Sequence, residues 1–229
     1  MTGRRDVTIL ERIRNCGVVP VVQPPVPSVA AGLSAALVEA GLPCIEITFR
    51  GEGAPQAIER VRADVPAMLV GAGTVITVTQ ARAAIAAGAQ FLVSPGTSQA
   101  VVDLALREGI LMLPGVATPS EIEANLARGI EVLKLFPAEV LGGVRFLKAM
   151  SGPYGTVMFV PTGGIDQSNL AEYLAQPNVM ACGGSWIAPP AILAVGDFDS
   201  VAQRAREVVE LVRTARHTSE MMAVAPVPD

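Results

Sequence analysis

The chain has one histidine, His217, in 229 residues, and of its 17 basic residues only Lys134 and Lys148 are lysines. Zinc catalysis draws on several histidines, or on histidine with cysteine or carboxylate, and no such cluster is present. A Ser-His or Cys-His nucleophile would have to use His217, which the sequence pattern places beyond the last helix. Aromatic residues make up 4% and charged residues 17%, and no basic run interleaves with aromatics. A nucleic-acid partner is therefore not expected. Cys16, Cys44 and Cys182 are few, odd in number and set among apolar residues, which fits reduced core thiols of a cytoplasmic protein. No apolar run approaches the roughly 20 residues of a membrane helix, and the charged stretch Met1 to Glu11 contains no secretory apolar segment.

What is abundant is apolar: 51% of residues, with a mean hydropathy of +0.46 and a net charge of −4. That balance is the opposite of a disordered chain, and this length buries roughly 70% of its unfolded surface. Short apolar runs alternate with helical spacing throughout. The runs fall at 17–22, 44–49, 67–71, 90–93, 110–113, 132–136, 157–160 and 179–182. Helical patterns between them close on Gly41, Gly88, Gly109 and Gly129, each followed by the next run, as expected for left-handed C-terminal caps. Eight strands alternating with helices predict parallel βαβ units and an α/β fold, a (β/α)8 TIM barrel in a single domain over 1–213, entered by an N-terminal helix. The pattern fades after Arg213, so 214–229 reads as a mobile tail. The structural rival is a doubly wound open sheet. The first strand argues against it, since it ends in Gln23-Pro24-Pro25 and not in a glycine fingerprint.

Two strands carry polar residues where strand alternation turns them inward. In Cys44-Ile45-Glu46-Ile47-Thr48-Phe49-Arg50, the residues Ile45, Ile47 and Phe49 face the helices, and Glu46, Thr48 and Arg50 face the barrel. In Val132-Leu133-Lys134-Leu135-Phe136-Pro137, Lys134 points inward. A carboxylate in such a place is costly without a partner. A Glu46–Arg50 pair, or Lys134 neutralised by Glu46, would satisfy it for purely structural reasons. Burial also favours the neutral amine of a lysine, the form that attacks a carbonyl to make a Schiff base. Glycine pairs follow the seventh and eighth runs, at Pro161-Thr162-Gly163-Gly164 and Gly183-Gly184-Ser185-Trp186. Barrels often bind phosphate there, on free N–H groups and helix N-termini. Gly71-Ala72-Gly73-Thr74-Val75-Ile76 fails the dinucleotide pattern at Ile76. Thr74 reads instead as a hydroxyl at the mouth of the third strand. Ser94-Pro95-Gly96 and Leu113-Pro114-Gly115 read as rigid turns on the pocket rim.

In order and spacing, Ile45-Glu46-Ile47-Thr48-Phe49-Arg50, Gly71-Ala72-Gly73-Thr74-Val75, Ser94-Pro95-Gly96, Leu133-Lys134-Leu135-Phe136-Pro137-Ala138-Glu139, Pro161-Thr162-Gly163-Gly164-Ile165 and Gly183-Gly184-Ser185-Trp186 resemble the family of 2-keto-3-deoxy-6-phosphogluconate (KDPG) and 2-keto-4-hydroxyglutarate (KHG) aldolases, over about residues 7 to 213. The resemblance implies a cytoplasmic lyase, a class I aldolase on a (β/α)8 barrel, usually a homotrimer. Such an enzyme acts on a small-molecule keto acid, with no cofactor, metal, nucleic acid or membrane partner. It implies Lys134 as the Schiff-base lysine and Glu46 as the general acid/base. Arg50 and Thr74 would hold the pyruvate carboxylate, and Pro95 and Phe136 would wall the pyruvyl methyl. Thr162 would contact the substrate, and Gly163, Gly164, Gly184 and Ser185 would cradle phosphate. Some members carry an arginine just after the first strand, where this chain has Gln23. The aldehyde partner therefore stays open between the gluconate substrate, its galactonate epimer and 4-hydroxy-2-oxoglutarate. Two other classes share the barrel: a non-catalytic scaffold, and an isomerase or decarboxylase that needs no imine. Neither has a use for an inward lysine beside an inward glutamate.

Overall fold

A computed structural model describes residues 4–24 and 26–224, with side chains for 6–24 and 26–217. The strands are β1 (Val18–Val22), β2 (Cys44–Thr48), β3 (Leu69–Gly73), β4 (Phe91–Val93), β5 (Leu111–Leu113), β6 (Gly115–Val116), β7 (Val132–Leu135), β8 (Met158–Phe159) and β9 (Cys182–Gly184). The helices are α1 (Arg4–Cys16), α2 (Pro27–Glu39), α3 (Ala54–Asp64), α4 (Val78–Ala86), α5 (Gln99–Glu108), α6 (Pro119–Leu126), α7 (Gly143–Ser151), α8 (Leu170–Leu174), α9 (Pro190–Val195) and α10 (Phe198–Val224). It is an α/β fold with a curled parallel sheet. Six strands run in the order β5-β4-β3-β2-β1-β9 and three in the order β6-β7-β8. Pro114 alone separates β5 from β6, because proline has no N–H to give to a ladder. Beyond β8 the backbone bridges Phe159 to Val179 and Thr162 to Gly183.

Each segment forms for a local reason. Strands β1, β4 and β5 are short apolar runs buried throughout, as a parallel sheet covered by helices requires. Helices α4 and α6 open on capping boxes, Thr77 with Gln80 and Thr118 with Glu121. Pro27 and Pro119 sit in the first turns of α2 and α6, where the missing N–H costs nothing. Leu33, Leu37, Ile45, Ile58, Leu69, Phe91 and Leu133 form part of one continuous apolar core between sheet and helices.

The sequence expectations shift in three places. Two of the expected runs start late, at Leu69 and Cys182, so Gly73, Gly183 and Gly184 lie inside strands. No helix begins directly after either glycine pair, since α8 starts at Leu170 and α9 at Pro190. Order does not end at Arg213. Helix α10 continues to Val224, because no glycine or proline interrupts 214–224 and the first proline beyond is Pro226. The rest of the expected tail, 225–229, lies outside the described residues.

Candidate functional site

The C-terminal ends of the strands surround a cavity of about 260 Å³, lined by residues that include Gln23, Thr48, Arg50, Phe136, Thr162 and Ser185. Strand β7 lifts Lys134 and β2 lifts Glu46 to just beneath it. Lys134 Nζ lies 3.4 Å from Glu46 Oε1, and the two side chains are 6% and 4% exposed. The buried pair is therefore Glu46–Lys134, and not Glu46–Arg50. Strand β2 ends at Thr48, which leaves Arg50 in the following turn, exposed at the cavity mouth. Lys134 Nζ also stands 5.5 Å from the centroid of the Phe136 ring, two residues along the same strand direction.

Glu46 needs a neighbour without a side chain. A Cβ on Gly73 would stand 2.0 Å from Glu46 Oε1, so β3 carries glycine where the carboxylate crosses it. Sequence reasoning read that segment as a failed nucleotide loop and missed the role of Gly73. The strand pairing of Thr48 with Gly73 is the relation that reveals it. The next residue, Thr74, has φ = 56°, a left-handed conformation that is an outlier for a β-branched side chain. Strain of this kind concentrates at functional sites. Thr74 and Pro95 stand at the ends of β3 and β4 but do not line the cavity.

On the opposite wall, Thr162 is buried and its hydroxyl donates to the Val160 carbonyl at 3.4 Å. Gly163 and Gly164 have φ of 99° and 81°, which only glycine adopts without strain. The Glu139 N–H takes the Gly163 carbonyl at 3.1 Å, and Asn169 Nδ2 takes the Gly164 carbonyl at 3.0 Å. The N–H groups of Gly163, Gly164 and Ile165 have no acceptor among the described residues, and all three residues line the cavity. Successive unpaired N–H groups of this kind form an anion-binding concavity. Gly184 does not join them. It lies in β9, buried, with Trp186 packed where a Cβ would stand. Gly183 lines the cavity, but its N–H is given to the Pro161 carbonyl at 2.8 Å. Ser185, at the end of β9, is exposed on the cavity wall.

His217 is exposed on α10, next to Arg216, whose guanidinium reaches carbonyls at the opposite end of the strands. Cys16, Cys44 and Cys182 are free thiols, and all three are buried. Among the described residues, no three His, Cys, Asp or Glu side chains lie close enough to share a metal ion, and no helix is long and apolar enough to cross a membrane.

A family model described as KDPG and KHG aldolase matches residues 9–204. A curated relative from Treponema pallidum (strain Nichols), a 2-dehydro-3-deoxy-phosphogluconate aldolase, is 47% identical over 206 residues, covering 90% of this chain and 98% of its own. The solved KDPG aldolase of Legionella pneumophila, with pyruvate captured as a covalent carbinolamine intermediate, superimposes with a TM-score of 0.85. It is 35% identical, over 91% of this chain and 99% of that one. The 2-keto-3-deoxy-6-phosphogluconate aldolase of Zymomonas mobilis ZM4 with 3-phosphoglycerate gives a TM-score of 0.83 at 34% identity, over 88% of this chain and 94% of that one.

Proposed function

Because this chain belongs to the KDPG and KHG aldolase family, it is a lyase that works through a Schiff base, and we propose that Lys134 carries the imine and Glu46 moves the protons. The reaction cleaves 2-dehydro-3-deoxy-6-phosphogluconate to pyruvate and D-glyceraldehyde 3-phosphate. The observation that carries the residue assignment is the Lys134–Glu46 pair, 3.4 Å apart and buried beneath the cavity.

The chemistry follows from that pair. Neutral Lys134 adds to the C2 carbonyl, and the carbinolamine loses its hydroxyl as water when Glu46 supplies a proton. The resulting iminium is an electron sink adjacent to C3. The C3–C4 bond then breaks: its electrons enter the iminium to form an enamine, and the C4 hydroxyl gives its proton to Glu46, directly or through one water. The aldehyde leaves. The enamine takes a proton at C3, and water releases pyruvate and regenerates the amine. The lysine itself supplies the sink, so the cycle calls for no metal or cofactor.

Arg50 at the mouth is the cation for the substrate carboxylate, with Thr74 at the exit of β3 as a further hydroxyl. Phe136 walls the pyruvyl methyl, with Pro95 on the rim of β4. Thr162 and Ser185 face the remaining hydroxyls, and the N–H groups of Gly163 and Gly164 receive the phosphate. Remote binding of this kind orients the scissile bond. Gln23 is neutral, so the distal anion depends on the glycine turn, which favours a phosphorylated substrate over 4-hydroxy-2-oxoglutarate.

We also read the two sheets as one closed (β/α)8 barrel. The bridges from Phe159 to Val179 and from Thr162 to Gly183 support this, since they run the segment through β8 alongside the segment through β9. The enzyme acts in the cytoplasm as a homotrimer on a small-molecule keto acid. Exposed Ile76, Val140 and Val195 are apolar side chains that subunit contacts would cover. The test is incubation with pyruvate and borohydride, followed by peptide mapping. A reduced pyruvyl adduct on Lys134 is expected, and an adduct elsewhere or none would remove the assignment.

A further inference from the structure

The anion-binding turn is held from behind by groups that no step of the reaction uses. Glu139 follows the lysine strand, in Phe136-Pro137-Ala138-Glu139. Its side chain lies across the turn, where a Cβ on Gly164 would come within 2.5 Å of Glu139 Cγ. The Tyr173 hydroxyl, on α8, donates to Glu139 Oε1. Both groups crowd the first residue of α7: a Cβ on Gly143 would stand 2.8 Å from the Tyr173 hydroxyl and 2.9 Å from Glu139 Oε1. Tyr173 is 1% exposed, and neither it nor Glu139 lines the substrate cavity. Backbone bonds complete the clamp. The Ala138 N–H takes the Thr162 carbonyl at 2.8 Å, and the Glu139 N–H takes that of Gly163.

We propose that Glu139 and Tyr173 are a positioning pair for the Gly163–Gly164 turn, and that through it they determine the preference for phosphorylated keto acids. The proposal rests on the reading of that turn as the phosphate site. Its physical basis is orientation. The Glu139 backbone N–H and the Asn169 amide already hold the two turn carbonyls, and the side-chain pair packs across the turn, so substrate binding does not have to order it. The Glu139 carboxylate would oppose an anion if it swung inward, and the Tyr173 hydroxyl holds one of its oxygens on the far side of the turn. Burial and the Glu139 carboxylate raise the pKa of that hydroxyl, so it remains a donor at neutral pH.

The experiment compares Tyr173→Phe, Glu139→Gln and Glu139→Ala with the parent chain on two substrates, the phosphorylated keto acid and 4-hydroxy-2-oxoglutarate. Tyr173→Phe removes one hydrogen bond and keeps the packing. It should raise KM for the phosphorylated substrate about fivefold to tenfold, with kcat nearly unchanged. KM for 4-hydroxy-2-oxoglutarate and borohydride trapping of pyruvate on Lys134 should not move. Glu139→Ala removes the side chain packed across Gly164, so it should also raise KM for the phosphorylated substrate by loosening the turn. Glu139→Gln still accepts from Tyr173 and should rescue the parent KM. An equal rise for both substrates, or no rise for the phosphorylated one, would reduce the pair to ordinary packing. Failure of the parent chain itself to trap pyruvate on Lys134 would remove the aldolase assignment, and with it this role for the pair.

Discussion

Lys134 and Glu46 show how a polar pair can be both costly and retained. Each is desolvated, and each compensates the other at 3.4 Å. Lys134→Met should abolish cleavage. It should also destabilise the protein by about 3–5 kcal/mol, because it strands a buried carboxylate. Glu46→Gln should strand the ammonium at similar cost and lower kcat by about 10²–10⁴. The double variant Lys134→Met/Glu46→Gln should recover most of the lost stability and none of the activity. Urea denaturation of all four proteins checks this, and additive losses would show that the two groups do not compensate each other. Strand alternation made both residues legible in the sequence. It could not choose Lys134 over Arg50 as the partner of Glu46, because that depends on where β2 stops. The strand ends at Thr48 and leaves Arg50 in the turn.

At the scale of elements, β3 and its exit serve β2. Gly73 leaves room for the Glu46 carboxylate, and Thr74 then takes a left-handed conformation. A β-branched residue in that region costs about 1–3 kcal/mol, so the hydroxyl at this position is kept against a stability gradient. Thr74→Gly should raise stability by about 0.5–1 kcal/mol, after allowing for the greater unfolded-state entropy of glycine. The same variant should bind pyruvate more weakly. Denaturation midpoints and pyruvate titration read the two effects separately, and a variant that is both less stable and equally tight would contradict the account. The glycine caps after α2, α4 and α5 and at the end of α6 were visible in the sequence because each needs only local backbone freedom. The role of Gly73 was not, since it depends on a side chain 27 positions earlier in a neighbouring strand.

Over the whole molecule, α10 ties the first helix to the last strand. Its Val212 side chain occupies the space beside Gly17, and the Arg216 guanidinium donates to the carbonyls of Arg14, Asn15 and Met180. These contacts gather the end of α1, the start of β1 and the approach to β9 on the face away from the cavity. Arg216→Ala should lower stability by about 1–2 kcal/mol, since bonds from a charged donor are lost. For a chain of this length each kcal/mol moves Tm by about 2–4 °C. Activity at 25 °C should be unchanged. A thermal melt beside an activity assay checks both, and an unaltered Tm would show that the clasp carries no weight. Within 214–224 the chain is helical where the sequence suggested a tail, because the apolar stripe thins there without any helix-breaking residue. The helix persists through backbone continuity and the grip of Arg216.

By itself, the sequence determined that this is an α/β chain of alternating strands and helices, that an inward lysine and an inward glutamate lie on two of its strands, and that glycine pairs sit near the last two. Those properties follow from periods of two and 3.6 residues and from turn chemistry, which are local. Tertiary structure decided which groups meet. It paired Glu46 with Lys134, 88 positions apart, left Arg50 at the mouth, and placed Gly184 inside a strand while Gly163 and Gly164 kept free N–H groups. It also set Glu139 and Tyr173 behind that turn. Contacts of this kind depend on strand register and on where each strand ends, and both are settled only when the sheet curls and the core packs around it.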